Sequence, residues 1–336
     1  MQILVTGGAG YIGSHTVKLL RERGYAVVVL DSLERGHRAA VGDTPLVVGD
    51  IRDSALLDRL FGAQPIDAVI HFAAYKAPGE SMAQPARYFD NNVAGTLTLL
   101  QAMQRAGVDR FVFSSSCAIY GTPAVLPVDE TAPPHPENPY GESKLLVEQM
   151  LRWLAAGQGL RFVSLRYFNA AGAALDASIG EDWTVTANLI PLVIKAALGK
   201  RPPAPIYGTD YPTPDGTAIR DYIHVLDLAD AHIRALEYLD RPAAAEFLNL
   251  GTGQGASVQE VVDMVRQVSG GDVPVVYTAR RPGDPAAVWA DNTRARAVLG
   301  WAPRYGLAEI VASAWRWHAT HPEGYHPHAL NPATRP

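Results

Sequence analysis

One pair of residues in this 336-residue chain has the types and spacing to move a proton. Tyr140 and Lys144 stand four positions apart in Tyr140-Gly141-Glu142-Ser143-Lys144, and Leu145, Leu146 and Met150 continue a helical register behind them. Side chains four apart share a helix face, so the spacing predicts an ammonium group beside a phenol. A free phenol ionises near pH ~10, and a neighbouring cation favours the phenolate. Tyr140 could then take a hydroxyl proton near neutral pH. As a bare pattern the pair means little, because exposed helices bring tyrosine and lysine together by chance. Its weight depends on the elements around it.

An apolar run, Phe111–Ser114, precedes the pair and ends in Ser114-Ser115-Ser116. A hydroxyl at a strand tip could bridge a substrate oxygen to the tyrosine, but spacing does not say which serine points inward. At the start of the chain, Gln2-Ile3-Leu4-Val5-Thr6 runs into Gly7-Gly8-Ala9-Gly10-Tyr11-Ile12-Gly13 and then a helical run through Val17 and Leu20. Gly7 permits a tight turn, Gly10 lets a pyrophosphate approach the backbone, and Gly13 lets helix and strand pack closely. The N–H groups that open the helix face the phosphates. Asp31 then falls at the end of the second strand, where a carboxylate accepts ribose hydroxyls and repels a 2′-phosphate. Together these predict a dinucleotide site that favours NAD, with Arg35 and Arg38 leaving NADP open; a bound nicotinamide cation would favour the Tyr140 phenolate alongside Lys144. Asp50-Ile51, after Val47-Val48-Gly49, could flank the adenine or be a plain strand-to-turn pair.

Ile3–Thr6, Ala26–Leu30, Ala68–Phe72, Phe111–Ser114 and Phe162–Leu165 read as buried parallel strands separated by helical patterns such as Val93–Ala106. Right-handed crossovers would build them into an α/β fold, a Rossmann-like doubly wound parallel sheet. After Asn169 the chain turns to Gly- and Pro-containing loops, a helix near Asn188–Leu198 and another over Val225–Leu239. Phe247–Leu250 reads as a strand returning to the main sheet, followed by a helix from Ser257. The expected division is a cofactor-binding domain over 1–169, a smaller C-terminal substrate-binding lobe over 170–325, and a Pro-rich mobile tail over 326–336.

Hydrophobic content of 48% with 19% charged residues suits a folded chain, and a net charge of -5 without a basic block points away from nucleic acid and membrane surfaces. No apolar run approaches the roughly 18 residues of a membrane span. A single cysteine, Cys117, excludes an internal disulfide and fits a reducing compartment. With no basic leader before Gln2, cytoplasmic residence is the expectation. Cys117 lacks an evident base and reads as a packed thiol. His71, on an apolar strand, reads as a core residue, and His15 as a polar residue early in a helix. His318, His321, His326 and His328 read as a helix end and a loose tail, so no metal site is expected.

The glycine run, Asp31, the serines and the Tyr140/Lys144 pair resemble the extended short-chain dehydrogenases/reductases. Longer strings are more specific: Phe72-Ala73-Ala74-Tyr75-Lys76-Ala77-Pro78-Gly79-Glu80-Ser81, Asp90-Asn91-Asn92, Arg166-Tyr167-Phe168-Asn169 and Arg220-Asp221-Tyr222-Ile223-His224-Val225. They resemble the UDP-galactose 4-epimerases, from Gln2 to about Tyr325. The resemblance implies bound NAD, a UDP-sugar substrate, a homodimer, and epimerisation at carbon 4 through a transient keto sugar. It assigns Ser116 to the sugar hydroxyl, Tyr140 to acid and base, and Lys144 also to the nicotinamide ribose. Tyr11, Ile12, Ser32, Asp50, Ile51, Phe72, Ala73, Ala74, Lys76, Asn91 and Phe168 match cofactor positions. Asn169, Asn188, Arg220, Arg281 and Asp284 match contacts to the nucleotide diphosphate, with an ordinary ion pair to Asp221 or Asp284 as the plain alternative for the arginines. Val288 stands where some members carry tyrosine, which implies room at the sugar 2-position and acceptance of UDP-N-acetylhexosamines. Rival readings on the same scaffold are a UDP-glucuronate epimerase or decarboxylase, and a non-catalytic NAD-sensing protein. A 4,6-dehydratase would need acids where Ser115, Ser116 and Cys117 stand.

Overall fold

The computed structural model of the chain describes residues 1–183, 186–281 and 284–325; the expected tail, 326–336, lies outside them. Seven strands form one sheet: β1 (Gln2–Thr6), β2 (Ala26–Asp31), β3 (Leu46–Val48), β4 (Ala68–His71), β5 (Arg110–Ser116), β6 (Arg161–Tyr167) and β7 (Ala245–Leu250). Their order is β7-β6-β5-β4-β1-β2-β3, and every pairing is parallel. The sheet is doubly wound because consecutive side chains along a strand serve opposite faces. Ile3, Val5, Val27 and Val29 pack beneath the helices Tyr11–Glu22 and Val225–Tyr238. Leu4, Val28, Leu30, Phe111 and Phe113 pack under Ser54–Ala63, Thr96–Arg105 and Pro139–Gln158 on the other side.

The strand order reverses between β1 and β4, and there a crevice opens at the carboxyl ends of the strands. A buried hydrogen-bond chain ties the two strands together at this point. The Thr6 hydroxyl meets His71 Nδ1 at 2.6 Å, and His71 Nε2 meets the Thr96 hydroxyl at 2.9 Å. Burial pushes the His71 imidazole down to about 3, so it is a satisfied neutral core residue, as its apolar strand implied. His15 lies early in helix Tyr11–Glu22, as expected, and is buried, with its Nδ1 2.7 Å from the Tyr11 carbonyl.

The expected helix around Val93–Ala106 begins earlier, through Pro85–Tyr88 and a π-helical stretch, Phe89–Gly95. Such a widened turn re-aims side chains and recurs at functional sites. Here it turns the Asn92 amide inward, where Oδ1 accepts from Tyr75 N at 2.9 Å and Nδ2 donates to the Ser143 hydroxyl at 3.0 Å.

The second half forms short sheets around its own apolar cluster, in which Ile190, Ile194, Val261, Val265, Ile310 and Ala314 meet. Ile219–Arg220 lies between Ala256–Ser257, antiparallel, and Ala287–Val288, parallel. The return to the main sheet occurs as the apolar run implied, with Ala245–Leu250 in register against Phe162–Tyr167. Among the described residues no helix is long and apolar enough to cross a membrane.

Asp221 holds this arrangement together beside Arg220. Its buried carboxylate accepts from Thr252 N and Oγ1, Gly253 N and Ala290 N at 2.7–3.3 Å. Asp221→Ala would strand those donors, each unsatisfied group costing about 1–3 kcal/mol. The variant should lose several kcal/mol in denaturant unfolding; a midpoint equal to that of the parent would contradict the assignment.

Candidate active site

Gly7 leaves β1 with φ +69°, a left-handed conformation that side chains resist, and a Cβ there would lie 2.5 Å from Ala73 N. At Gly13 a Cβ would come within 2.3 Å of the Gly7 carbonyl, so helix Tyr11–Glu22 can pack this close only with glycine. The helix starts at Gly10, which brings no side chain to cap it, and its first N–H groups face the crevice edge. Asp31 ends β2 buried, its Oδ2 accepting from Ala9 N and Oδ1 from Leu33 N, both at 2.9 Å. Burial raises its pKa against the pull of those two bonds. Each carboxylate oxygen keeps a lone pair for a ribose hydroxyl. Arg35, which left NADP open, spends its guanidinium on Glu80 at 3.5 Å. A buried carboxylate, a glycine cradle that any Cβ would fill and an uncapped helix start fit NAD.

Other expected cofactor positions are placed unevenly. Phe72, Ala73 and Ala74 follow β4 at the crevice, with Phe72 against the His232 ring at 4.5 Å. Ile51 is buried, while the Asp50 carboxylate is held by Arg52 at 2.6 Å. The exposed Ser32 hydroxyl accepts from Glu34 N at 3.3 Å. Asn91 donates to Asn92 Oδ1 at 2.9 Å. Lys76 Nζ lies 4.0 Å from Glu181 and 5.9 Å from the centre of the Tyr11 ring, whose hydroxyl donates to the Gly172 carbonyl at 2.6 Å.

The Tyr140/Lys144 pair rides on helix Pro139–Gln158, started by Asn138, whose side chain accepts from Gly141 N at 2.9 Å, and by Pro139 in the first turn. Gly141 packs so near the Cys117–Tyr120 turn that a Cβ would lie 2.5 Å from the Ala118 carbonyl. This contact sets Tyr140 at the tip of β5. The structure separates the three serines. Ser114 turns its hydroxyl to His232 Nε2 at 3.0 Å, and Ser115 is buried within the strand. The Ser116 hydroxyl accepts from Ala118 N at 3.1 Å and acts on the Tyr140 phenol.

The chain's own groups, taken without a dinucleotide, do not favour the phenolate. Burial, reinforced by Tyr167, raises the Tyr140 phenol well above its ordinary value, against a smaller downward pull from Ser116. Lys144 does not offset this. Its Nζ donates to the Ser114 carbonyl at 2.8 Å and lies over the Phe113 ring at 4.8 Å, and burial pushes the ammonium down to about 7. Helix spacing places the two side chains on one face, but says nothing of the desolvation that both suffer.

Of the expected substrate contacts, Arg220, Arg281, Asp284 and Val288 gather around the small three-stranded sheet. Arg220 donates to the Ile219 and Pro285 carbonyls at 2.8 and 2.9 Å, and its guanidinium is 4.0 Å from Asp284. Arg281 Nε meets the same carboxylate at 3.1 Å. Asp221, the other partner considered for Arg220, is committed to backbone N–H groups instead. The Cys117 thiol feels both Arg220 and Asp221, and Tyr140 feels Cys117, so this lobe meets the reacting pair at the end of β5. Burial raises that thiol to about 12, which makes it inert. Phe168 and Val288 share one apolar cluster with Ile119 and Tyr120. Asn169 is exposed and pairs its backbone with Tyr222, while Asn188 donates to Glu181 at 2.7 Å.

Three residues escaped sequence reasoning: Asn92, Glu181 and Glu148. Of these, only Glu148 carried a signal, a charge four positions beyond Lys144 on a face otherwise buried through Val147 and Leu151. No metal-holding group of three His, Cys, Asp or Glu occurs among the described residues, and His326 and His328 lie outside them. His318 stacks on Trp183 at 4.5 Å and His321 on Trp317 at 3.9 Å.

Comparison with known proteins agrees with this geometry. Residues 3–251 match the model of the NAD dependent epimerase/dehydratase family. The chain is 51% identical to the UDP-glucose 4-epimerase of Halalkalibacterium halodurans over 97% of its own length and 98% of that protein. The chain belongs to the NAD dependent epimerase/dehydratase family. Two solved structures of epimerases are similar throughout. One is UDP-glucose 4-epimerase from Bifidobacterium longum in complex with NAD+ and UDP, 42% identical with a TM-score of 0.92 over 96% of this chain and 100% of that one. The other is the UDP-Glc/GlcNAc 4-epimerase from Campylobacter jejuni, 39% identical with a TM-score of 0.84 over 95% and 99%. In this member of the epimerase/dehydratase family the buried acid beside the glycine turn is Asp31. A hydrogen bond to a charged group is worth about 1.5–3 kcal/mol, so Asp31→Asn should weaken NAD binding roughly 10- to 100-fold and narrow the preference over NADP. Titration with both dinucleotides tests this; an unchanged ratio of affinities would remove Asp31 from the ribose.

Proposed function

We propose that this chain is a UDP-glucose 4-epimerase, interconverting UDP-glucose and UDP-galactose with NAD bound. The observation that carries the reading is the meeting, at the tip of β5, of Tyr140 and Ser116 with the arginine-bearing lobe, on the same sheet edge as the glycine turn and Asp31. The relative from Bifidobacterium longum, solved with NAD+ and UDP, supports the choice of both ligands. Residues 1–169 hold the cofactor through Gly7–Gly13, Asp31, Lys76 and Lys144, and residues 170–325 hold the nucleotide through Asn188, Arg220 and Arg281, with Asn169 at the boundary.

Held by the glycine turn and Asp31, NAD would supply a positive charge and an acceptor for the hydride of sugar carbon 4. The chain's own residues do the rest. Tyr140 takes the proton of the 4-hydroxyl, with the Ser116 hydroxyl bridging the two oxygens. After the keto sugar presents its other face, Tyr140 returns the same proton, so carbon 4 is inverted without net oxidation. Arg220 and Arg281 suit a diphosphate because a planar guanidinium can pair two oxygens at once. Asp284, now between them, keeps both oriented. Gripping the nucleotide leaves the hexose free to turn.

Val288 is buried beside Phe168 and adds little bulk to this pocket wall. A 2-acetamido group fits where a tyrosine would stand, so UDP-N-acetylglucosamine and its galacto epimer are substrates as well; the dual naming of the Campylobacter jejuni relative supports this. The chain acts in the cytoplasm as a homodimer. The half-exposed Leu97 and the exposed Trp153, on helices Thr96–Arg105 and Pro139–Gln158, offer the pairing surface.

Tyr140→Phe should lower kcat about 10²–10⁴-fold while the variant still retains NAD and binds UDP. Turnover within a few-fold of the parent would remove Tyr140 from proton transfer. Val288→Tyr should lose the N-acetylated pair while keeping UDP-galactose conversion. Equal loss on both substrates, or none on either, would refute the pocket assignment.

A further inference from the structure

Glu148 follows Lys144 by one helical turn, as Lys144 follows Tyr140, so three ionisable groups line one face of helix Pro139–Gln158. Lys144 is 3% exposed and Glu148 2%. Carboxylates are almost never that buried unless paired. Glu148 accepts from the Ser164 hydroxyl at 2.8 Å and from Arg166 Nε and Nη2 at 3.0 and 2.7 Å. Arg166 Nη1 donates onward to the Tyr120 hydroxyl at 2.8 Å, and that hydroxyl donates to Asn249 Oδ1 at 2.8 Å. Apolar residues of equal volume often stabilise a core at least as well as such a pair. A second use is therefore worth seeking.

We propose that Glu148 is a positioning residue for the epimerisation: fixed by Arg166 and Ser164, its carboxylate keeps the Lys144 ammonium charged at the reacting edge. This rests on Tyr140 and Lys144 being the reacting pair. Among the described residues Lys144 donates only to a neutral carbonyl, Ser114, and it lies over an aromatic face, Phe113. The other groups around it are His71 on β4, neutral and disfavoured further by the ammonium, His232 beyond the Ser114 hydroxyl, Tyr140 on its own helix, and Arg166, committed to Glu148. Burial drives Lys144 down to about 7, and the Glu148 carboxylate is what pulls it back up. Without that anion the ammonium is lost at lower pH, so the alkaline limb of turnover moves down.

The test uses the full chain loaded with NAD, as Glu148→Gln and as Glu148→Gln/Arg166→Met. Both keep a partner for Ser164, and the second also leaves no orphaned guanidinium; thermal unfolding shows which is folded. Either should move the alkaline limb of kcat/KM for UDP-galactose down by about one pH unit, roughly a tenfold loss at the alkaline end. NMR titration of the labelled Lys144 amine should shift alike, and Glu148→Asp should hold both at the parental position. A limb and an amine titration that superimpose on the parent would overturn the proposal. If the parent converts no UDP-galactose, the epimerase reading fails instead, and the amine titration still decides the link between Glu148 and Lys144.

Discussion

Desolvation of the helix face that carries Tyr140, Lys144 and Glu148 governs the chemistry that the rest of the fold positions. A pair of opposite charges at 4 Å gains about 4 kcal/mol at an effective dielectric of 20. Burying an ion costs several kcal/mol for each group. The second quantity wins here, since burial raises the phenol and lowers the ammonium together. The protein's own residues thus leave Tyr140 protonated and Lys144 close to its titration point. A charge supplied from outside, the nicotinamide ring, can then change the state of both groups.

The scaffold reaches this arrangement through close backbone approach. Gly13 lets the first helix sit against the turn after β1, and Gly141 lets helix Pro139–Gln158 sit against the turn after β5. Both contacts lie at the carboxyl ends of strands on the β4 side and the β1 side of the reversal in sheet order. A side chain at either glycine would push a helix, and with it a functional group, away from the crevice. The small lobe adds its arginines through Ile219–Arg220 and Ala287–Val288, which Asp221 locks to the loop at Thr252.

Most of the fold was legible because parallel, doubly covered strands need continuous apolar runs, and the chain has them at each predicted place. The glycine turn and Asp31 were legible for the same kind of reason: their residue types are dictated by backbone geometry and one carboxylate. The inward serine was not. Ser114, Ser115 and Ser116 differ only in what packs against them, His232, the strand itself and Tyr140 in turn. Asn92 was hidden because a π-helical turn shifts the helical register that spacing assumes. The desolvation of Tyr140 was not legible because four-residue spacing reports proximity and carries no information on burial.

The most direct test is the ionisation midpoint of Tyr140 itself. It is read as the tyrosinate absorbance of the parent minus that of Tyr140→Phe, in protein stripped of NAD and in protein loaded with it. The account predicts a midpoint above that of free tyrosine in the stripped protein and a large fall toward neutrality when NAD is bound. A midpoint near neutrality in the stripped protein, or one that NAD leaves unmoved, would contradict it.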